Sequence, residues 1–363
     1  MGEKLKEQIK QFENVRKSYL AYEQKVALLI EELLRLENFK YHVTESRTKT
    51  VENYGSKISR PSKSYSDTLS EVTDLVGVRI ILFYTDDIPK VSELLSQHFS
   101  VIEKVEDHNS EKMEDDKFGY LSTHLILKIP DSRAKLPDWA SYKDYNFEVQ
   151  IRTVLQHAWA AVSHSLNYKK ETSIPKPLRR RLNRVAGLFE LADDAFIQLS
   201  TLRDAQNEID RKKLSEGDHE TPLTLETIEH ILQTDKHKSM ILKQAREAGF
   251  MFDDAPHYPH EDIDEGYNDY IPELIEICES NSISTVAKFK KILAVPARKY
   301  YNDIITDNRR KHSSHWYSSL YFSALLQFLR INPTDSYYQG WNEDTRRLVI
   351  SVAKKHEIDL ASL

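Results

Sequence analysis

Three stretches in the first half of the chain combine cations and carboxylates in a way that suits phosphate chemistry. They are Arg47-Thr48-Lys49-Thr50-Val51-Glu52-Asn53-Tyr54-Gly55-Ser56-Lys57, Asp74-Leu75-Val76-Gly77-Val78-Arg79 and Glu148-Val149-Gln150-Ile151-Arg152-Thr153. Arg47, Lys49 and Arg79 supply cationic donors. Strand alternation puts Glu148, Gln150 and Arg152 on one face and leaves Val149 and Ile151 to a core. Two acids, Asp74 and Glu148, near several cations match what a magnesium ion asks of a protein: one or two carboxylates, with substrate phosphates completing the shell. Phosphoryl-type transfer needs little beyond a metal, cations on the equatorial oxygens and a positioned nucleophile. The same residues also suit a solvated salt-bridge network on a sheet surface, and spacing alone does not choose.

The elements that must position these groups are legible in the periodicity. Ile9, Phe12, Tyr19, Tyr22, Val26, Leu29, Leu33 and Leu36 form one apolar stripe, which predicts a single helix over residues 3–37. Tyr41 to Glu45 alternates as a short strand, with the Arg47 cluster just after it. Residues 66–76 read as a helix leading into an apolar, β-branched strand at 78–83. A helix at 86–98, a strand at 99–105, strands at 123–129 and 146–152, and a helix at 154–168 follow. The expected fold class is α+β, a mixed β-sheet of about five strands flanked by helices and followed by an all-helical C-terminal domain.

Composition bounds the rest. The 363 residues carry 51 Lys+Arg against 57 Asp+Glu, a net charge of −6, with 40% hydrophobic and 30% charged residues. That is a globular chain long enough for about two domains. Only 9 glycines are present, which leans towards helix and excludes Gly-rich phosphate loops, since neither G-x-G-x-x-G nor G-x-x-x-x-G-K occurs. A single cysteine, Cys278, excludes an intramolecular disulfide framework. The charged N-terminus and the lack of a long apolar run point to a cytoplasmic protein with no membrane segment.

Five motifs occur in order: Arg47-x-Lys49 with Lys57; Asp74-Leu-Val-Gly-Val-Arg79; Gly119-Tyr120-Leu-Ser122-Thr-His124; Glu148-Val-Gln150-Ile-Arg152-Thr153; and Gln156-x-x-Trp159-Ala160-x-x-x-His164-x-x-x-Tyr168-Lys169. Over about residues 40–170 this resembles the synthetase domain of the RelA/SpoT-type (p)ppGpp synthetases. The resemblance implies a nucleotidyltransferase-like fold and transfer of diphosphate from ATP to the 3′-hydroxyl of a guanosine nucleotide, with release of AMP. It implies Arg47, Lys49, Asn53, Lys57 and Arg79 at ATP. It implies Asp74 and Glu148 as catalytic residues and Mg²⁺ ligands. It implies Lys117, Tyr120, Ser122, His124, Gln150 and Arg152 on the acceptor side, with Tyr120 stacked on the base. Two departures bear on the acceptor. Asn53 stands where many relatives have Ser. Asp116 stands where a lysine is expected before Gly119, and residues 111–117 hold four acids against two lysines. An anionic lip repels a free polyphosphate, so adenosine nucleotides and the tRNA 3′ end stay open as acceptors, the latter as in growth-arresting toxins. An inactive nucleotide-sensing module is the rival of another class.

The expected organisation is a helix at 1–38, the synthetase domain with its following helices at 39–214, a linker at 215–222 and a helical domain at 223–363. The roughly 40 residues ahead of the synthetase domain are too few for the hydrolase domain that long relatives carry, so a synthetase-only enzyme is expected. The C-terminal domain reads as helices at 224–233, 236–248, 271–280, 284–293, 316–330 and 342–356, with Gly249 as a cap. It is expected to restrain or target the synthetase, and to bind a protein partner or pack its aromatic-rich 315–328 segment as core. The basic run Lys176, Arg179, Arg180, Arg181 and Arg184 can meet RNA phosphates or be a solvated helix start. His257 and His260 beside Asp262 and Asp264 can bind a metal or form a solvated acidic loop. A homo-oligomer is expected from the family resemblance.

Overall fold

The computed structural model describes residues 3–60, 65, 67–106, 122–165, 176–218, 220–252, 270–311, 318–334 and 342–362. Two compact units divide the chain, Met1–Thr201 and Leu202–Leu363.

The first unit opens with α1 (Glu3–Leu36), whose buried face is Phe12, Tyr19, Tyr22, Val26, Ile30, Leu33 and Leu34. Next come β1 (Tyr41–Thr48), α2 (Val51–Ile58), α3 (Thr68–Glu71), β2 (Val76–Leu82), α4 (Asp87–His98) and β3 (Ser100–Glu106). Then follow β4 (Thr123–Lys128), α5 (Asp131–Ala134), β5 (Asn146–Thr153) and α6 (Val154–Ser165). The strands form one mixed sheet in the order β1-β2-β5-β4-β3. Neighbours are antiparallel except β2 and β5, which run parallel. The inner face presents Val76, Val78, Ile80, Leu125, Leu127, Phe147, Val149 and Ile151, all buried in one cluster with α1 and α4. Tyr22 meets Phe147 edge-on at 5.9 Å and Phe12 stacks on Tyr54 at 4.3 Å, so α1 is part of this core. The other face carries the polar residues and is partly covered by α6, which packs on β2 and β5.

Two sequence expectations change here. β1 runs on to Thr48, so Arg47 lies within the strand and not after it. The inner-face residues at its end, Ser46 and Thr48, donate to Glu23 on α1 at 2.8 and 2.5 Å, so hydrogen bonds replace the apolar alternation that marks a buried strand. The segment after it is helix α2, capped by the Thr50 hydroxyl. The expected helix at 66–76 is a single turn, α3, followed by a tight turn through Asp74.

The long helix α7 (Lys176–Ser215) follows, and the division between the units falls within it. Within residues 215–222, expected as linker, Ser215 to Asp218 and Glu220 are exposed, Thr221 is buried and Pro222 bridges Thr285. The second unit holds α8 (Leu225–Gln233), α9 (Asp235–Ala248), α10 (Tyr270–Ser280), α11 (Val286–Leu293), α12 (Arg298–Lys311), α13 (Leu320–Phe328) and α14 (Glu343–Lys355). Helix α12 was not expected. Its buried positions Tyr300, Tyr301, Ile304 and Ile305 sit among charged neighbours that mask the stripe. Every residue of α13 is buried, so the described part of the aromatic-rich segment is core. His257, His260 and the acidic stretch at 253–269 lie outside the described residues. Among the described residues no helix is long and apolar enough to cross a membrane.

Candidate functional site

Register brings the three clusters together. Arg47 on β1 pairs with Gly77 on β2, and Gly77 pairs with Glu148 on β5. One step along, Glu45, Arg79, Gln150 and His124 form the next row across β1, β2, β5 and β4. Gly77 has no side chain between Arg47 and Glu148, and this leaves the floor of a cavity of about 340 Å³. Arg47, Asp74, Arg79, Glu148 and Gln150 line it, with Glu45, Ser46 and Val78.

Local structure fixes each group. Arg16 Nε on α1 donates to the Lys49 carbonyl at 3.1 Å, and Lys49 N–H donates to the Leu75 carbonyl at 2.8 Å. The end of β1 is thereby tied to the turn that carries Asp74. Lys49 Nζ donates to Asp74 Oδ2 at 2.9 Å. Lys57 Nζ, from the last turn of α2, lies 2.7 Å from Asp74 Oδ1. That second contact is an ion pair outside hydrogen-bond geometry, and Oδ1 is a buried acceptor with no hydrogen-bond donor. Burial alone would raise the Asp74 carboxyl, but Lys57 and Lys49 outweigh it and hold it below the ordinary carboxylate range.

Glu148 shows the same competition. Burial pushes its carboxyl up, while a hydrogen bond from His124, with help from Gln150, brings it below the ordinary range. Glu148 is therefore ionised at neutral pH and acts only as an acceptor. His124 Nδ1 is 2.8 Å from Glu148 Oε1, and His124 Nε2 is 2.7 Å from Ser122 Oγ. Arg152 Nη2 donates to Gln150 Oε1 at 2.8 Å. Burial, then the nearby charges of Arg79 and Arg47, push the Arg152 guanidinium down. Arg47 and Arg79 line the cavity and suit a polyanion.

β5 is anchored just past the site. The Thr153 and Gln156 side chains and backbones bond reciprocally at the start of α6, at 3.0 and 3.1 Å. The Thr153 hydroxyl also donates to Asp193 on α7 at 2.9 Å.

Most sequence-derived site residues converge here: Arg47, Lys49, Lys57, Asp74, Arg79, Ser122, His124, Glu148, Gln150 and Arg152. Asn53 does not join the described cavity lining; it is exposed on the first turn of α2, where its N–H donates to the Thr50 hydroxyl. Lys117, Tyr120 and the acidic loop lie outside the described residues. Sequence reasoning assigned no role to Glu45, which pairs with Arg79 at 3.1 Å inside the cavity. Its place in an alternating strand beside Arg47 was the available signal.

The two carboxylates, Asp74 and Glu148, suit a hard divalent cation, which takes oxygen ligands. A profile described as "Region found in RelA / SpoT proteins" matches residues 46–173. The GTP pyrophosphokinase YjbM of Bacillus subtilis is 31% identical over 170 residues, 46% of this chain and 76% of the relative. The GTP pyrophosphokinase YwaC of the same organism is 29% identical over 157 residues, 42% of this chain and 71% of the relative. Among solved structures, small alarmone synthetase 1 from Bacillus subtilis is similar over 55% of this chain and 98% of its own, with 26% identity and a TM-score of 0.44. From the sheet that gathers these residues and from the YjbM match, the chain belongs to the RelA/SpoT family, among the GTP pyrophosphokinases known as small alarmone synthetases.

Proposed function

We propose that the chain is a Mg²⁺-dependent pyrophosphokinase that moves the β,γ-diphosphate of ATP to the 3′-hydroxyl of GDP or GTP and releases AMP. The observation that carries this reading is the placement of Asp74 and Glu148 in one cavity with Arg47 and Arg79. A binding module for nucleotide needs the cations but not both acids. In this reading Arg47, Arg79 and Arg152 take the phosphate oxygens. Lys49 and Lys57 move from Asp74 to the incoming phosphates, since a polyphosphate offers more negative charge than one carboxylate. Asp74 and Glu148 would hold the Mg²⁺, whose contribution is to neutralise charge on the reacting diphosphate. Glu148 takes the proton of the attacking hydroxyl. Gln150 serves the acceptor, and the family resemblance adds Lys117 and Tyr120, which lie outside the described residues.

A second reading has tRNA as the acceptor. It is favoured by Arg180, Arg181 and Arg184, which are exposed on the first part of α7. Incubation with ATP labelled in its γ-phosphate plus GDP, GTP, ATP or deacylated tRNA discriminates the two. Label on GDP or GTP supports the main reading. Label only on tRNA replaces it with the second.

A further inference from the structure

A chain of hydrogen bonds leads from the sheet to the cavity. Ser122 Oγ meets His124 Nε2 at 2.7 Å, and His124 Nδ1 meets Glu148 Oε1 at 2.8 Å. The connectivity is that of a hydrolase triad, hydroxyl to Nε2 and Nδ1 to carboxylate. Accessibility reverses the roles. Ser122 is only 8% exposed, while Glu148 lines the cavity. The serine is buried, and the carboxylate is the member that lines the cavity.

For a neutral imidazole, donor and acceptor counting places the protons. An ionised carboxylate only accepts, so Nδ1 carries the hydrogen. In the neutral ring Nε2 then holds a lone pair, which accepts from the Ser122 hydroxyl. The terminal torsion of a glutamate is broad, so an unsupported carboxylate samples many orientations. A bond to one oxygen ends that freedom.

We propose that His124 is a positioning residue that holds Glu148 by Oε1, that Ser122 holds the His124 ring in place through Nε2, and that Oε2 is thereby presented to the acceptor. The proposal rests on the pyrophosphokinase reading. In the step it serves, the 3′-oxygen bonds to the β-phosphorus of ATP. The bond from that phosphorus to the α,β-bridging oxygen breaks, and its electron pair leaves with AMP. The hydroxyl proton passes to Oε2. His124 keeps its proton throughout.

The test uses the full chain. Nitrogen-15 spectra at alkaline pH, with His124 assigned by its loss in His124→Asn, are expected to show protonated Nδ1 and bare Nε2. Ser122→Ala is expected to keep the Nδ1–H form, because Glu148 fixes it. A protonated Nε2 in the wild type overturns the proposal. In kinetics of AMP release, His124→Ala is expected to lower kcat about 100-fold, the scale of a displaced general base, with the KM for ATP within about twofold. His124→Asn, whose amide N–H replaces Nδ1–H, recovers about tenfold of that loss. Ser122→Ala lowers kcat about tenfold alone but adds no loss to His124→Asn, because asparagine has no second ring nitrogen for Ser122 to hold. Unchanged kcat in His124→Ala, additive losses in the double variant, or fluorophosphonate labelling of Ser122 each overturn the proposal. A wild type that releases no AMP with any acceptor instead contradicts the pyrophosphokinase reading, and the spectra still decide the hydrogen-bond chain.

Discussion

Asp74 and Glu45 occupy, in this structure, the cations that the proposed ATP site needs. Asp74 holds Lys49 and Lys57, and Glu45 holds Arg79. Each pair has its own consequence. The Asp74 carboxyl titrates below its ordinary value of 3.8 in the folded chain. A depressed value means that its ion pairs stabilise the fold above the unfolded value and that this contribution is lost as pH falls through the folded one. The wild-type Tm is therefore expected to fall more steeply below about pH 4 than that of Asp74→Asn. Parallel curves in a pH series of thermal melts would remove the ion pairs from the account. Glu45 competes with phosphate for Arg79 through a partly exposed pair, and such pairs contribute at most about 1 kcal/mol. Glu45→Gln is therefore expected to tighten ATP binding by no more than about fivefold in equilibrium titration. Weaker binding would show that Glu45 aims Arg79 and does not compete for it. At this scale the residue types were legible and their partners were not. Alternation put Glu148, Gln150 and Arg152 on one face correctly, but the meeting of Arg47 and Glu148 across Gly77 depends on a parallel pairing between distant strands.

The elements divide by how their stability is encoded. α1 was legible because its apolar stripe repeats over 34 residues, and α4 because four apolar positions carry it. α2 was not, because only Tyr54, Gly55 and Ile58 are buried in its 8 residues. Too few apolar positions mark so short a helix, and the Thr50 cap and the packing on α1 hold it instead. The end of α9 shows a signal of the opposite kind. Gly249 sits at φ 101° and its N–H bonds to the Ala245 and Arg246 carbonyls. Residues with a Cβ are disfavoured there, so Gly249→Ala is expected to destabilise the second unit by about 1 kcal/mol. Chemical denaturation with a probe in that unit measures it. No change in midpoint would mean that α9 ends by other contacts.

At the scale of the whole molecule, the two units have separate cores. One is built on the sheet with α1 and α4, the other on α8 through α14. The division between the units falls inside α7, between Thr201 and Leu202, where neither residue is a proline or glycine. Cys278 belongs to the second core and is 1% exposed. Burial pushes its thiol up to about 12, so at neutral pH it is a protonated, enclosed group. Its reaction with a thiol reagent is expected to be negligible in the native chain and to appear only with unfolding of the second unit. Rapid labelling of the native protein would place Cys278 outside that core. For the synthetase unit the central claim is that Glu148 does chemistry at a site which binds ATP without it. The direct measurement compares AMP release from ATP and GDP by the wild type and Glu148→Gln, with ATP affinity measured in parallel. The expected result is a fall in AMP release of at least about 100-fold, with ATP affinity within about threefold of wild type. Wild-type turnover by Glu148→Gln would contradict the account.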